Sequence, residues 1–348
     1  MDGREIEKLH AKKLASWTFL LIVLIAALFL CIVVAVCIGA VYIPPGKILN
    51  ILFLQITDQN DSDVSIIMSI RLPRVLLAAT IGAALSVAGV AMQGVFRNPM
   101  ASPSILGISA GAAFGASLAI VMGASFATGQ FAIPAMAFIF CVGTMLLVYA
   151  LSRSGGYVPV ETLLLAGIAV GAFFSALVSF MQFVAGDKLE GLVFWLMGGL
   201  GRANWQQLWI ALPLIVIGSF MIWYYSKELN ALTIGEDHAT SLGVDTQRVM
   251  LIMIVVTSIV VAAAVSFSGV IGFVGLVVPH IIRIIIGPDH RILVPASILA
   301  GGCLLVITDA LARTLMAPSE IPVGIITAML GAPFFIYLLR RRKHMMGW

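Results

Sequence analysis

The feature that most constrains this chain is its rhythm. Apolar runs near 17–43, 72–95, 104–123, 131–151, 159–184, 205–225, 247–268, 270–286, 291–315 and 321–340 alternate with short polar breaks. A helix crosses the hydrocarbon of a bilayer in about 20 residues. Inside that hydrocarbon, backbone N–H and C=O groups must be satisfied within the protein, which leaves helices and closed barrels. These runs are continuously apolar and do not alternate residue by residue, as barrel strands do. The expected fold is therefore all-α, a polytopic membrane protein of about ten spanning helices in one transmembrane domain over 1–348. Composition excludes the soluble alternative: 61% of the residues are hydrophobic and 10% charged, against about 25% charged in soluble domains.

The positive charges give the expected orientation. With the N-terminus inside, fourteen of the 20 Lys and Arg residues fall in inner segments, among them Arg97, Arg153, Arg248, Arg283 and the 340–343 cluster. The outer segments hold Lys47, Arg71, Arg74, Lys188, Arg202 and Arg313. Positive charge collects on the cytoplasmic side, so both termini are expected there. The first apolar run is too long for a cleavable signal and reads as a span. Cys31, Cys37, Cys141 and Cys303 all lie inside apolar runs with no metal-ligand spacing, so neither a metal site nor a disulfide framework is expected.

The longest polar break in the second half runs from Lys227 to Arg248, KELNALTIGEDHATSLGVDTQR. Lipid does not accept such a stretch, and the charge count places it on the cytoplasmic side. Other stretches were weighed for chemistry. Gly107-Ile-Ser-Ala-Gly111 matches a nucleophile-elbow pattern around Ser109, but glycines four apart serve close helix packing in membranes, and that reading is preferred. Asn98-Pro99 begins a turn between two apolar runs, since residues before proline leave helical geometry. There is no G-x-x-x-x-G-K-[ST] loop and no H-E-x-x-H, hence no sign of nucleotide hydrolysis or catalytic zinc in this chain. Asp309 and Arg313 share a helix face near the outer end of a span. Arg71 and Arg74 flank Pro73 at the outer mouth of another, where they either anchor the interface or dock an acidic partner. An ion-gradient-driven secondary transporter is the alternative reading, and it would need a carboxylate or histidine at mid-membrane.

Several phrases, in order along nearly the whole chain, resemble the FecCD family, the permease subunits of ABC importers for iron siderophores, haem and cobalamin. They are RLPR (71–74), GAALSVAGVAMQGVFRNPMASPSILGISAGAAFGA (82–116), LLLAGIAVG (163–171), FWLMGGLGRANW (194–205), GEDHATSLGV (235–244), SGVIGFVGLVVPHIIR (268–283), GPDHRILVPAS (287–297), DALAR (309–313) and EIPVGIITAMLGAPFFIYLLRR (320–341).

The resemblance implies a fold like that of the cobalamin-importer permease, with ten spans. It implies a homodimer in the cytoplasmic membrane with the pathway on its two-fold axis, two cytoplasmic ATPase subunits and an extracytoplasmic substrate-binding protein. No catalytic residue, metal or cofactor is expected in this chain, and ATP is used by the partner subunit. The 227–248 stretch becomes the coupling loop that docks the ATPase, with Gly235, Glu236, Ala239, Leu242 and Gly243 at its core. Arg71, Arg74 and Arg313 correspond to the residues that dock the binding protein. Asn98, Pro99 and Met100 correspond to the cytoplasmic gate. The start of the fifth span completes that gate with small hydroxyl residues in relatives, whereas Val160 and Glu161 stand there in this sequence.

Overall fold

The computed structural model describes residues 3–39, 43–51, 62–123, 129, 131–153, 155 and 157–345. From the N-terminus come α1 (Gly3–Cys37), α2 (Pro45–Leu49), α3 (Ser62–Ser65), α4 (Leu72–Val95), α5 (Ile108–Val121), α6 (Ala132–Ser152) and α7 (Val160–Val184). They are followed by α8 (Leu189–Leu196), α9 (Trp205–Tyr224), α10 (Ser226–Ile234), α11 (Glu236–Ser241) and α12 (Thr246–Ser268). The chain ends in α13 (Val274–Ile286), α14 (His290–Thr314) and α15 (Val323–Met345). Among the described residues seven helices are long and apolar enough to cross a membrane, and three shorter apolar helices, 108–121, 274–286 and 323–338, occupy the remaining expected positions.

α4 is the central post. Ala78, Ala84, Ala88 and Ala91 along it are fully buried, and α1, α9, α12, α13 and α14 all pack on it. Lipid tails are as apolar as the side chains, so burial alone gives helices no reason to meet. Close van der Waals approach between small residues does. A methyl group added to Gly89 would collide with the carbonyl of Gly275 on α13, and one on Gly82 with that of Gly301 on α14. The small-residue repeats in the sequence are thus backbone-to-backbone contacts.

The structure moves several expected boundaries. The second span was expected to begin at 72. It begins at Ser62, because α3 runs through a π-helical segment, Ile66–Arg71, into α4. Pro73 explains the π winding: it brings no N–H and crowds the preceding turn. The polar segment ahead of it carries the short helix α2 after Pro44, while 52–61 lies outside the described residues.

Two other spans are shorter than their apolar runs. Residues 103–106 form a 3-10 turn closed by Gly107 in the left-handed region, and α5 starts only at Ile108. Likewise 269–273 is irregular, with Phe273 at φ +67°, before α13 begins. At 1.5 Å per residue, a 14-residue helix such as α5 covers only about 21 Å of a hydrocarbon core of about 30 Å. Irregular backbone is tolerated at such depth only where protein covers it. Ala101, Pro103 and Leu106 are accordingly buried, and Phe273 packs directly on Gly331 of α15.

Three helix starts carry the caps their sequences promise. Asn204 accepts from Gln207 N (2.9 Å), Asp245 from Arg248 N (3.0 Å) and Asp289 from Arg291 N (3.1 Å). Each such cap stabilises its helix by about 1 kcal/mol.

Candidate functional site

The polar break after α9 folds as a pair of short helices, α10 and α11, at a sharp bend. Gly235 sits at φ +145° between them and Gly243 at φ +82° after them, conformations that any side chain would strain. α10 presses Leu229 and Leu232 inward. α11 is held by Ala239, which is 0% exposed, and by Val244 N donating to Ala239 O (3.0 Å). The outward side carries Ile234 at 68% and Leu242 at 71% exposure, with Asp237, His238 and Thr240 also exposed. Ala239 therefore seats the loop on its own chain, while Leu242 and Ile234 face outward.

The Asn98 turn lies beside this pair. Asn98 Oδ1 accepts from Met100 N (2.9 Å), Ala101 N donates to Asn98 O (3.0 Å), and Arg97 takes up φ +49°. Arg97 approaches Glu236 at 3.7 Å, and Tyr157 Oη donates to the same carboxylate at 3.3 Å. Glu236 thus faces the turn rather than solvent alone. The start of α7 is close by. Val160 is half-buried and Glu161 exposed. The next residue, Thr162, carries a hydroxyl, which donates back to Pro159 O (2.9 Å). Sequence reading missed Arg97 and Tyr157. The signal for Arg97 was available, since a lone cation precedes the Asn-Pro turn.

The outer arginines are arranged differently. Arg74, Arg313 and Arg71 come from three separate stretches and all turn inward, at 7%, 6% and 4% exposure. Arg74 donates through Nε to Asp309 Oδ1 (3.0 Å) and through Nη1 to both oxygens of Glu320 (3.0 and 2.9 Å). Arg313 lies with Nε 3.1 Å from Asp309 Oδ2, while Nη1 and Nη2 donate to Ile38 O and Ala35 O. Arg71 donates to Val36 O (3.1 Å). Two guanidiniums therefore cap the last carbonyls of α1, where the helix dipole is negative. Asp309, fully buried, is held between two cations. Among the described residues Asp309 and Glu320 are the carboxylates bonded to these arginines, Asp63 adds a further negative charge near Arg71, and Glu320 reaches solvent, its side chain being 47% exposed. A cavity of about 300 Å³ opens beside Arg74 and Glu320, lined also by Trp195, Arg202 and Phe267. The structure thus brings the three arginines together at one outer cluster and bonds all of them within the chain. Glu320 was not singled out in the sequence.

A helical bundle of long apolar spans, with a folded polar helix pair at one face and a charged cluster at the other, defines a multi-pass membrane protein. The comparisons agree with this and go further. The FecCD transport family matches residues 23–341. A cobalamin import system permease protein, BtuC, of Halobacterium salinarum is 47% identical over 278 residues, covering 80% of this chain and 74% of that protein. A hemin transport system permease protein, HmuU, of Yersinia pestis is 43% identical over 297 residues, covering 82% and 86%. Among solved structures, one described as an inward-facing conformation of a metal-chelate type ABC transporter superposes with a TM-score of 0.82. It is 33% identical and covers 92% of this chain and 98% of that one. The chain belongs to the FecCD transport family. It is a multi-pass protein of the cytoplasmic membrane.

Proposed function

We propose that this chain is the permease subunit of a binding-protein-dependent ABC importer, which carries an iron–siderophore complex, haem or cobalamin across the cytoplasmic membrane while separate subunits hydrolyse ATP. The observation that carries the reading is the exposed apolar pair Ile234 and Leu242 on a folded, polar helix pair outside the spans. Such a pair suits the groove of a soluble partner better than it suits water. Family membership supplies the class of that partner, an ATPase. Rocking of α10 and α11 with the ATPase would shift the bundle between two access states.

α7 supports the homodimer in this reading. Its exposed face mixes Ala169, Ala172, Ser175, Ala176 and Ser179 with Ile168 and Phe173, the small residues that let membrane helices approach. A gradient-driven carrier would instead use a mid-span carboxylate free to gain and lose its charge, whereas Asp309 is locked between Arg74 and Arg313.

The test is co-purification. Leu242→Asp should release the ATPase subunits from detergent-solubilised permease while the permease itself remains folded. Retention of the ATPase at the wild-type ratio would count against the docking face. Ala239→Asp is the poorer probe, because that side chain is buried in its own chain and its replacement strikes the fold first.

A further inference from the structure

The structure contains a polar joint that joins the first helix of the coupling pair to the inner turn, and neither the spans nor the outer cluster accounts for it. Asn230 on α10 is turned inward and uses its whole amide. Its Oδ1 accepts from His290 N and pairs with His290 Nδ1, both at 2.8 Å, and its Nδ2 donates to Asp289 Oδ1 at 2.9 Å. Because Oδ1 can only accept, the imidazole carries its proton on Nδ1 and leaves Nε2 as an acceptor. The Asp289 carboxylate is held well below its usual range, above all by the Arg291 side chain that donates to it. This keeps it ionised as the receiver of the Asn230 amide.

His290 is 1% exposed. Its Nε2 has no hydrogen-bond partner among the described residues and rests against the last turn of α4. A methyl group on Gly94 would stand 2.9 Å from that nitrogen and 3.1 Å from the Leu229 side chain. Gly94 therefore receives contacts from α14 through His290 and from α10 through Leu229. Its carbonyl in turn accepts from Arg97 N (3.2 Å), and the neighbouring Gln93 carbonyl accepts from Asn98 N (3.2 Å). These bonds begin the 97–100 turn. The surface link from the same turn to α11, Arg97 to Glu236 at 3.7 Å, is partly exposed and screened, so it can carry little.

We infer that Asn230 and His290 are positioning residues. They make α10, the start of α14 and the Gly94 turn of α4 move as one body, so that displacement of the coupling helices reaches the 97–100 turn. Asn230 holds His290 by two hydrogen bonds, one from its backbone N–H and one from its ring, and the imidazole sets Gly94 by contact. A packed contact of this kind is bistable rather than compliant, which suits the transmission of a small shift. The inference rests on the importer reading, since it needs an ATPase to drive α10.

The experiment uses the full chain with its ATPase in proteoliposomes. A cysteine placed at the exposed Ser104, just beyond the turn, is labelled by a membrane-impermeant maleimide with and without Mg-ATP, against the parent chain as background. In the otherwise wild-type protein ATP should change the labelling rate. Asn230→Leu and His290→Leu should leave ATPase retention and hydrolysis in place and reduce that change about ten-fold, the scale of a typical coupling between sites. His290→Asn, whose amide nitrogen can stand where Nδ1 stood but no longer reaches Gly94, should stay as low as His290→Leu. Gly94→Ala should behave like His290→Leu, and Gly94→Ala combined with His290→Asn should recover, because the alanine methyl fills the space that Nε2 vacates and renews the contact. A purely structural role would give no such rescue. An undiminished response in both leucine variants, or no recovery in the double variant, overturns the joint. A wild-type chain that does not retain the ATPase overturns the importer reading itself, and the joint with it.

Discussion

The two ends of the bundle handle polar groups in opposite ways. At the outer end three arginines are buried and bonded to carboxylates and carbonyls of the same chain. At the inner end two large apolar side chains, Ile234 and Leu242, stand exposed on a polar loop. The arginines of the first cluster are all bonded within the chain, while among the described residues nothing covers Ile234 and Leu242 of the helix pair. Charge thus marks a structural knot at one face, and apolarity in a polar setting marks an uncovered surface at the other, the one proposed above for docking. The reverse would have been the ordinary expectation from residue types alone.

Three substitutions would break or sharpen this contrast. The largest effect is expected from Asp309→Ala, which leaves Arg74 and Arg313 buried with their shared carboxylate gone. Removing one partner of a buried charge group costs about 3–5 kcal/mol, so folded permease should be lost from detergent extracts and its thermal midpoint should fall steeply. A near-wild-type midpoint would mean that the arginines swing out to water and that the outer end is less closed than it looks. Glu320→Gln should do far less. Its side chain is half exposed, and an exposed ion pair contributes at most about 1 kcal/mol. A midpoint drop as large as that of Asp309→Ala would place the keystone at Glu320 instead. The smallest effect on the fold is expected from Leu242→Asp with no ATPase present. A surface change of this type stays within about 0.5 kcal/mol, so the midpoint should not move even though partner binding is lost. A clear drop would show that Leu242 supports its own chain.

How far the sequence could be read depended on the range of the interaction. The long spans were legible, because about 20 apolar residues in a row leave few other structures. Their ends were misjudged where the backbone becomes irregular but remains apolar, at 103–107 and 269–273, since hydropathy does not distinguish a covered loop from a helix. The helix pair α10–α11 was legible as a polar break with Gly235 and Gly243 at its bends. The direction of Ala239 was not, because a six-residue helix is too short to show a face. Arg71, Arg74 and Arg313 meet at one end of the bundle. Their convergence on Asp309 was invisible, as Arg74 and Asp309 lie 235 residues apart. Asn230 was missed altogether. A partial signal existed, since Gly287-Pro-Asp-His at the head of an apolar run reads as a capped helix start, and a histidine just inside such a cap invites a search for its partner.

The capping of α1 has a consequence for the order in which the molecule is completed. The carbonyls at the end of α1 are closed by Arg313, 275 and 278 residues further along the chain. Along its length α1 is largely exposed, and it leans chiefly on α14 and α4. As the polypeptide emerges and inserts from its N-terminus, α1 therefore meets its two fasteners at very different times: Arg71, which closes Val36 O, is made 35 residues later, and Arg313 only near the end of synthesis. The first helix to be made is half secured early and fully secured among the last. A chain interrupted between residues 71 and 313 would hold α1 by one guanidinium alone.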